Sequence, residues 1–345
     1  MFDYKNCDKS ELEEAFVATA QKMNVSENII EKDFWVCFIL KVLFSLDGLK
    51  EHLTFKGGTS LSKIYRLIAR FSEDIDISIE RKFFGFDGER EPLNATSSKK
   101  SKKLIEELSA KCTNYVKDEF LKTLEKELVQ YFETNTWSLE IDPDDKDQQT
   151  ILFHYPSLFK SKSTYIKKNV KIEIGARSDH WPVSMKKVIS YTEEMFPALT
   201  NENQILIRVL NMERTFWEKA TILHKYAHFP TDKNVPLRQS RHYYDFYKLL
   251  HSDAKNLAIS NLELLEKVVI HKELYFRSAW ASYDTAKKGS LKLIPNAKIL
   301  EAMETDYLAM QEMFFDEIPS WNTIVKSVSD FEKDFNSGLT EQKKK

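Results

Sequence analysis

The stretch from residue 55 to residue 79, FKGGTSLSKIYRLIARFSEDIDISI, constrains the fold more than any other part of the sequence. It contains a glycine pair, Gly57 and Gly58, near its start, and an acidic pair, Asp74 and Asp76, that alternates with isoleucines near its end. Alternation with a period of two is the pattern of a β-strand with one buried face. The stretch therefore predicts a strand, a glycine turn, a short helix and a second strand.

The acidic pair places two carboxylates on one face of the second strand. Residues two apart in a strand point the same way, so Asp74 and Asp76 lie opposite the isoleucines. Neighbouring carboxylates repel each other unless a cation lies between them, and Mg²⁺ takes oxygen ligands together with substrate phosphates. An edge strand with a solvated acidic face is the alternative explanation.

The glycine pair is followed by two hydroxyls, Thr59 and Ser60, and by a predicted helix over 61–70. Glycines let a phosphate approach the backbone, and the first N–H groups of a helix can donate to an anion, as can the hydroxyls. A tight turn that needs glycine for a positive φ explains the same residues. Together with the acidic pair, however, the turn supplies what a nucleoside triphosphate with Mg²⁺ requires.

Composition sets the broad class of protein. The chain has 345 residues, is 42% hydrophobic and carries a net charge of −2, which argues against a uniformly basic nucleic-acid coat. Its three cysteines show no CxxC spacing, which fits a reducing cytosol. The N-terminus lacks an apolar signal core, and the longest apolar run is too short to span a bilayer. We expect a cytoplasmic protein with no membrane segment.

Period-two segments and helical patterns divide the chain. Strands are predicted at 136–142, 150–155, 170–176, 185–191 and 205–210, and helices at 10–24, 26–46, 213–227, 240–251, 257–271, 297–313 and 320–335. Residues 81–97 are predicted to form a surface loop. The prediction is an α/β (α+β) fold with a mixed sheet, a helical N-terminal cap and a helical C-terminal domain, divided into 1–210 and 211–345.

The segments GGTSLSK and FSEDIDI resemble motif I of the nucleotidyltransferases of the AbiEii/AbiGii toxin family, a branch of the DNA polymerase β-like superfamily. The resemblance implies a polymerase β-like core in which Gly57, Gly58, Thr59 and Ser60 hold the triphosphate of an NTP. It implies further that Asp74 and Asp76 bind divalent ions, Mg²⁺ or Mn²⁺. Lys63 either adds a charge to the phosphates or is a solvated helix lysine.

The superfamily usually adds a third carboxylate from a neighbouring strand. Glu173 in VKIEIGA is the best match, because its apolar neighbours face the other side of the strand. Glu140 in SLEID shows the same alternation and is a rival. The resemblance thus implies a metal site of Asp74, Asp76 and Glu173, with the choice between the two glutamates open.

Two later helical segments resemble further motifs of the family. RTFWEKATILHK contains Lys219, which either reaches a phosphate or snorkels to water beside an apolar stripe. SRHYYDFYKLL contains Arg241 and Asp245, which are four residues apart and share a helix face. They either form a surface ion pair, or Arg241 meets phosphate while Asp245 orients or deprotonates the attacking hydroxyl or fixes Lys219. The pair His224 and His228 is predicted to be on the surface.

The resemblance implies a toxin of a toxin–antitoxin or phage-defence system that transfers a nucleoside monophosphate from an NTP. The leading acceptor is the 3′ end of tRNA, and the expected partner is a cognate antitoxin protein or its operon. Two alternatives stay open: the same fold acting on a protein hydroxyl, and a non-catalytic nucleotide-binding partner protein.

Overall fold

The computed structural model describes residues 2–159, 167–199, 205–315 and 317–338. The chain divides into two compact units, one of Met1–Tyr65 and Phe71–Leu210 and the other of Arg66–Arg70 and Asn211–Lys345. The predicted domains differ from these units in the placement of 66–70. No helix in the described ranges is both long enough and apolar enough to cross a membrane.

The first unit contains most of the mixed α/β structure. Its helices are α1 (Lys9–Met23), α2 (Glu27–Leu43), α3 (Gly57–Lys63), α4 (Ser98–Tyr115), α5 (Leu121–Leu128) and α6 (Tyr191–Met195). Its strands are β1 (Leu53–Lys56), β2 (Asp74–Ile79), β3 (Ser138–Ile141), β4 (Thr150–His154), β5 (Asn169–Gly175), β6 (Val183–Lys187) and β7 (Leu206–Leu210).

The seven strands found in the described residues form one sheet in the order β3-β4-β5-β2-β1-β7-β6. Strand β2 lies near the centre, antiparallel to β1 and parallel to β5. Strands β1 and β7 are also parallel, whereas the remaining pairs are antiparallel. The predicted mixed sheet in an α/β fold is therefore confirmed.

Helix α2 is a core element of the first unit. Every residue from Ile29 to Leu43 is buried. A helix that is apolar on most sides is expected to be enclosed rather than to lie on the surface. Trp35 within it is fully buried and stacks on Tyr155, with ring centroids 5.6 Å apart.

Several predicted boundaries are wrong. The helix expected over 61–70 ends at Lys63, and Arg66 has φ +52°, a left-handed conformation that a helix cannot continue through. Residues 81–97, expected as a loop, include three 3₁₀ turns, Arg81–Phe84, Gly88–Arg90 and Pro92–Asn94. Local hydrogen bonding therefore orders more of this segment than its glycines and prolines suggest.

The second unit is helical in its described part. It contains α7 (Met212–Ala227), α8 (Arg241–Leu250), α9 (Asp253–Ile259), α10 (Leu262–Tyr275), α11 (Ala297–Ala309) and α12 (Trp321–Ser337). The single helix predicted over 257–271 is divided, because Asn261 caps α10 by accepting a hydrogen bond from the backbone N–H of Leu264.

Candidate active site

Asp74 and Asp76 lie on the polar face of β2. Ile75 and Ile77 between and after them are buried, and the two aspartates are partly exposed. On the parallel strand β5, Lys171 is the register partner of Asp74, and Glu173 is the register partner of Asp76. The pleat of β2 therefore sets two carboxylates on one face, and the register brings a third beside them.

The glycine turn touches the acidic strand directly. Lys56, the last residue of β1, pairs with Asp76, so Gly57 follows beside that carboxylate. Gly57 has φ +82°, and a Cβ added to it would lie 1.9 Å from Oδ2 of Asp76. Any side chain at this position would displace the carboxylate. The backbone conformation favours glycine, and the close approach leaves room for a side chain only if the Asp76 carboxylate moves.

The hydroxyls after the glycines form contacts within the site. Thr59 Oγ1 donates to the carbonyl oxygen of Asp74 at 2.6 Å and lies 2.9 Å from the Ser72 hydroxyl. Ser60 Oγ donates to the carbonyl oxygen of Gly57 at 2.8 Å. Both side chains are fully buried. They join α3 to β2 and close the turn on itself, while the predicted phosphate contacts of these hydroxyls stay a prediction.

Glu173 and Glu140 occupy different parts of the sheet. Glu173 is next to Asp76, whereas Glu140 lies on β3, which is separated from β2 by β4 and β5. The Glu140 carboxylate is 2.8 Å from Nε2 of His154 on the adjacent strand. Of the two candidates, the structure brings only Glu173 beside the acidic pair.

The charge around Glu173 is only partly balanced. Burial and the neighbouring Asp76 raise its pKa. Lys171 Nζ lies 3.4 Å from Glu173 and 3.5 Å from Asp142, so one ammonium is shared between two carboxylates. Negative charge in excess of nearby cations favours a bound cation.

No group of three acidic, histidine or cysteine side chains with the geometry of a metal cage occurs in the ranges that the structure describes. Mg²⁺ is usually bound by one or two carboxylates together with substrate phosphates. The oxygen donors of Asp74, Asp76 and Glu173 fit that mode of binding. We call Gly57–Ser60 with these three carboxylates the donor site.

Lys63, predicted as a possible phosphate contact, has a buried carboxylate as its partner. Its ammonium lies 2.7 Å from Oδ1 of Asp33 on α2, and both side chains are almost completely buried. It also lies over the ring of Tyr191, 3.4 Å from the centroid. Burial alone would lower the pKa of Lys63, but the Asp33 carboxylate outweighs this effect and raises it.

The second unit holds a separate charged cluster around Asp245. Lys219 Nζ donates to Oδ2 of Asp245 at 2.7 Å, and the buried Arg70 donates to both oxygens, at 2.7 and 2.9 Å. His242 Nδ1 lies 3.0 Å from Lys219 Nζ. We call Arg70, Lys219, His242 and Asp245 the Asp245 cluster. Its geometry agrees with one predicted role of Asp245, which is to fix Lys219.

The charges of this cluster shift each other's protonation. Burial would raise the pKa of Asp245, but Arg70 and Lys219 outweigh it and hold the pKa far below its ordinary range. Burial also lowers the pKa of Lys219, and the nearby Arg70 adds to that effect. Hydrogen bonds from Arg70 and Lys219 occupy both carboxylate oxygens of Asp245, so the geometry favours a positioning role over general-base catalysis.

Arg70 is a residue that sequence reasoning missed. The predicted helix over 61–70 gave it no partner. The sequence feature that could have predicted such a cation is the apolar segment YYDFY around Asp245, because a buried aspartate requires a cationic partner. Arg241, whose spacing allows an ion pair with Asp245, begins α8 and is half-buried. The Asp245 oxygens are instead taken by Arg70 and Lys219.

The prediction that His224 lies on the surface is wrong. His224 is fully buried, its Nε2 lies 3.0 Å from the carbonyl oxygen of Ser282, and its Nδ1 accepts from the N–H of Lys292. The imidazole joins α7 to two loop segments. Burial lowers the pKa of His224 to about 4. It is therefore a structural neutral histidine rather than a metal ligand.

The mixed sheet, with its acidic strand beside a glycine turn, can be compared with the sequences of known protein families. The model of the family described as nucleotidyl transferase AbiEii toxin, type IV toxin–antitoxin system, matches residues 39–336. The chain belongs to this family of nucleotidyltransferase toxins. The predicted family is thereby confirmed.

Two further comparisons complete this result. A search of curated protein sequences gives no match. Among solved structures, MenT4, a nucleotidyltransferase toxin from Mycobacterium tuberculosis H37Rv, is similar with a TM-score of 0.45 and 15% sequence identity. The alignment covers 94% of this chain and 98% of that chain.

Proposed function

We propose that the protein transfers a nucleoside monophosphate from an NTP to an acceptor hydroxyl and releases pyrophosphate. The observation that carries the proposal is the contact of the Gly57 turn with Asp76, beside Glu173. A phosphate-binding backbone and a set of metal-binding carboxylates are needed next to each other when a triphosphate is bound with its cation. Membership of a nucleotidyltransferase family supports this assignment.

In the proposed reaction, the acceptor hydroxyl loses its proton to solvent and its oxygen forms a bond to the α-phosphorus. The bond from that phosphorus to the oxygen that bridges the α- and β-phosphates breaks, and this oxygen leaves as part of pyrophosphate. Asp74, Asp76 and Glu173 would hold Mg²⁺ or Mn²⁺, which would neutralise the phosphate charge and lower the pKa of the acceptor hydroxyl. The turn Gly57–Ser60 holds the triphosphate through its backbone N–H groups, because two of its side chains are already hydrogen-bonded within the protein.

We assign the remaining predicted residues more limited roles. Lys219 neutralises phosphate charge, and Asp245 keeps its ammonium in place by a 2.7 Å hydrogen bond. Arg241 adds a second cation, since its predicted carboxylate partner is already paired. Each of these roles is a hypothesis that a substitution can test separately.

The proposed acceptor is the 3′ end of tRNA, and the proposed biological role is that of a toxin restrained by a cognate antitoxin protein or through its operon. A type IV toxin–antitoxin family supports the toxin role. Action on tRNA would place the protein in the cytoplasm, and phage defence would be one use of such a toxin.

The test is incubation of the purified protein with Mg²⁺ and each α-labelled NTP in turn, with total RNA in one arm and total protein in the other. We expect label in the tRNA band and a preference for one NTP. The matched control is Asp76→Asn, which removes one charge without changing the side-chain shape. If only protein is labelled, the acceptor is a protein hydroxyl rather than tRNA. If the Asp76→Asn variant is still toxic, the protein acts as a non-catalytic partner protein.

A further inference from the structure

Three consecutive charged residues of α2 are buried in the first unit. Glu31, Lys32 and Asp33 are exposed by 0%, 2% and 5%, within a helix whose other inner residues are mostly apolar. A buried charge without a partner is unfavourable by several kcal/mol, on the order of the net stability of a domain. Each of these side chains must therefore have a specific partner.

Successive helix residues point about 100° apart, so the three side chains reach three different segments. Glu31 accepts from the Ser157 hydroxyl at 2.7 Å and from the Leu158 N–H at 2.6 Å. Lys32 pairs with Glu73 and donates to the carbonyl oxygen of Lys167. One turn of α2 thus makes polar contacts with several different segments of the unit.

Asp33 provides the third set of contacts. Its Oδ1 pairs with Lys63 Nζ at 2.7 Å, and its Oδ2 accepts from the Tyr191 N–H at 2.9 Å. Both carboxylate oxygens are occupied, and the group is nearly inaccessible to solvent. Asp33 therefore links the Lys63 side chain, at the end of α3, to α2.

Two of these partners adjoin the donor site. Glu73, the partner of Lys32, directly precedes Asp74, the first residue of β2. Lys63, the partner of Asp33, is the last residue of α3, which begins with the glycine turn. A single helical turn thus holds the start of the acidic strand and the end of the helix that carries the glycines.

We propose that Lys32 and Asp33 are positioning residues of the donor site, and that the charge of Lys63 serves Asp33 rather than a phosphate. This inference rests on the proposed function. The Thr59 hydroxyl links α3 to the Asp74 carbonyl directly, and the two ion pairs fix both partners of that link to α2. Residues that orient metal-binding or catalytic groups in this way typically change activity about 10–100-fold when replaced.

Ion pairs suit this role because they constrain direction as well as distance. Apolar side chains of equal volume would fill the same space and often stabilise as well, but they would not set the orientation of their partners. A purely stabilising role therefore predicts that any buried ion pair on α2 has the same importance. A positioning role predicts that only the pairs leading to the donor site affect the reaction.

Helix α2 offers a matched control for this distinction. Lys41 is also a buried lysine of α2, and it pairs with Glu193 on α6 rather than with a residue next to the acidic strand. The variants are Lys32→Met, Lys41→Met and the conservative Lys32→Arg. Each is measured by thermal unfolding, by hydrogen–deuterium exchange of the peptide covering 72–79, and by the rate of nucleotide transfer.

We expect Lys32→Met to accelerate exchange at 72–79 about tenfold and to lower kcat about 10–100-fold at a temperature where it stays folded. Lys41→Met should lower the unfolding temperature similarly but leave both readouts within about twofold of wild type. Lys32→Arg should restore most of the rate.

Equal effects of Lys32→Met and Lys41→Met on exchange at 72–79 would overturn the positioning role. A wild-type protein that transfers no nucleotide would overturn the proposed function instead. In that case the exchange comparison still decides whether Lys32 positions the acidic strand, because this readout requires no substrate.

Discussion

In the first unit, Asp76 and Glu173 lie side by side on neighbouring strands, and Glu173 shares Lys171 with Asp142, whereas in the second unit Asp245 is enclosed by Arg70 and Lys219. The first arrangement is partly exposed and has excess negative charge. The second is buried, and its carboxylate is paired on both oxygens. The same residue type therefore occurs in two opposite electrostatic settings.

This difference distinguishes carboxylates that can bind a ligand from carboxylates that stabilise the fold. Excess charge of one sign destabilises a fold slightly and persists where a ligand of opposite charge compensates for it. Opposite charges enclosed together hold one geometry, and removal of one partner leaves the others uncompensated in a low-dielectric interior. An Asp→Asn substitution should thus lower activity without a loss of stability in the first setting, and in the second setting it should lower stability together with any activity that depends on Lys219.

The largest expected effect is on the Asp245 cluster. Asp245→Asn removes the carboxylate charge that pairs with the buried Arg70 and Lys219, and we expect it to lower the free energy of unfolding by about 3–5 kcal/mol. Denaturant titration followed by helical circular dichroism measures this change. A variant as stable as wild type would contradict the structural role of the cluster.

The same substitution at Asp76 should have the opposite profile. Asp76→Asn removes a charge that repels Glu173, so stability should be unchanged or slightly higher, while nucleotide transfer falls about 10²–10³-fold. The matched control is Glu140→Gln on β3, which lies away from the donor site and should keep its activity. If Asp76→Asn and Glu140→Gln lose the same transfer activity, Asp76 has no special role in the reaction.

Gly57→Ala tests the close contact between the turn and Asp76. The added Cβ would lie 1.9 Å from Asp76 Oδ2, so the carboxylate must move, and we expect a loss of transfer activity of about 10²-fold. Gly48→Ala is a suitable control, because Gly48 has φ +74° but nothing within 4 Å of an added Cβ. It carries only the backbone strain of about 1 kcal/mol. If the Gly57→Ala variant keeps its transfer activity, the close contact between the turn and Asp76 is not needed for the reaction.

Local patterns in the sequence predicted the faces of β2 but not its neighbours. The alternation of Ile75 and Ile77 with the aspartates is a property of six consecutive residues, and the structure has the same faces. The pairing of Asp76 with Glu173 joins residues almost a hundred positions apart. Because Glu140 has an equal local pattern, only the strand order distinguishes the two glutamates.

Arg70 shows the same limit for the second unit. Its partner, Asp245, lies 175 positions away in the chain. The residues before Arg70 have helical propensity, which favoured one helix over 61–70. The helix is broken before the left-handed Arg66, and Ala69 and Arg70 beyond it bond to Tyr244 and Asp245, which are contacts that local sequence does not reveal.

The smallest expected effect is the pH dependence of stability due to Glu173. Burial and Asp76 raise its folded pKa above the ordinary value of 4.5, so the stability that it contributes is present below that value and is lost as the pH rises through the folded pKa. Asp245 shows the reverse dependence, because its folded pKa is depressed and its contribution is lost only in strong acid. Glu173→Gln should therefore be more stable, relative to wild type, at pH 7 than at pH 4.

We expect that difference to stay below about 1 kcal/mol, since 42% of the Glu173 side chain is exposed and solvent screens its repulsion. Denaturant titrations of both proteins at intervals between pH 4 and pH 7 measure it. Added Mg²⁺ should reduce the difference at pH 7, because a cation bound between the carboxylates stabilises the ionised form. A difference independent of both pH and Mg²⁺ would show that Glu173 is a solvated strand residue, and the contrast with Asp245 would then rest on Asp76 alone.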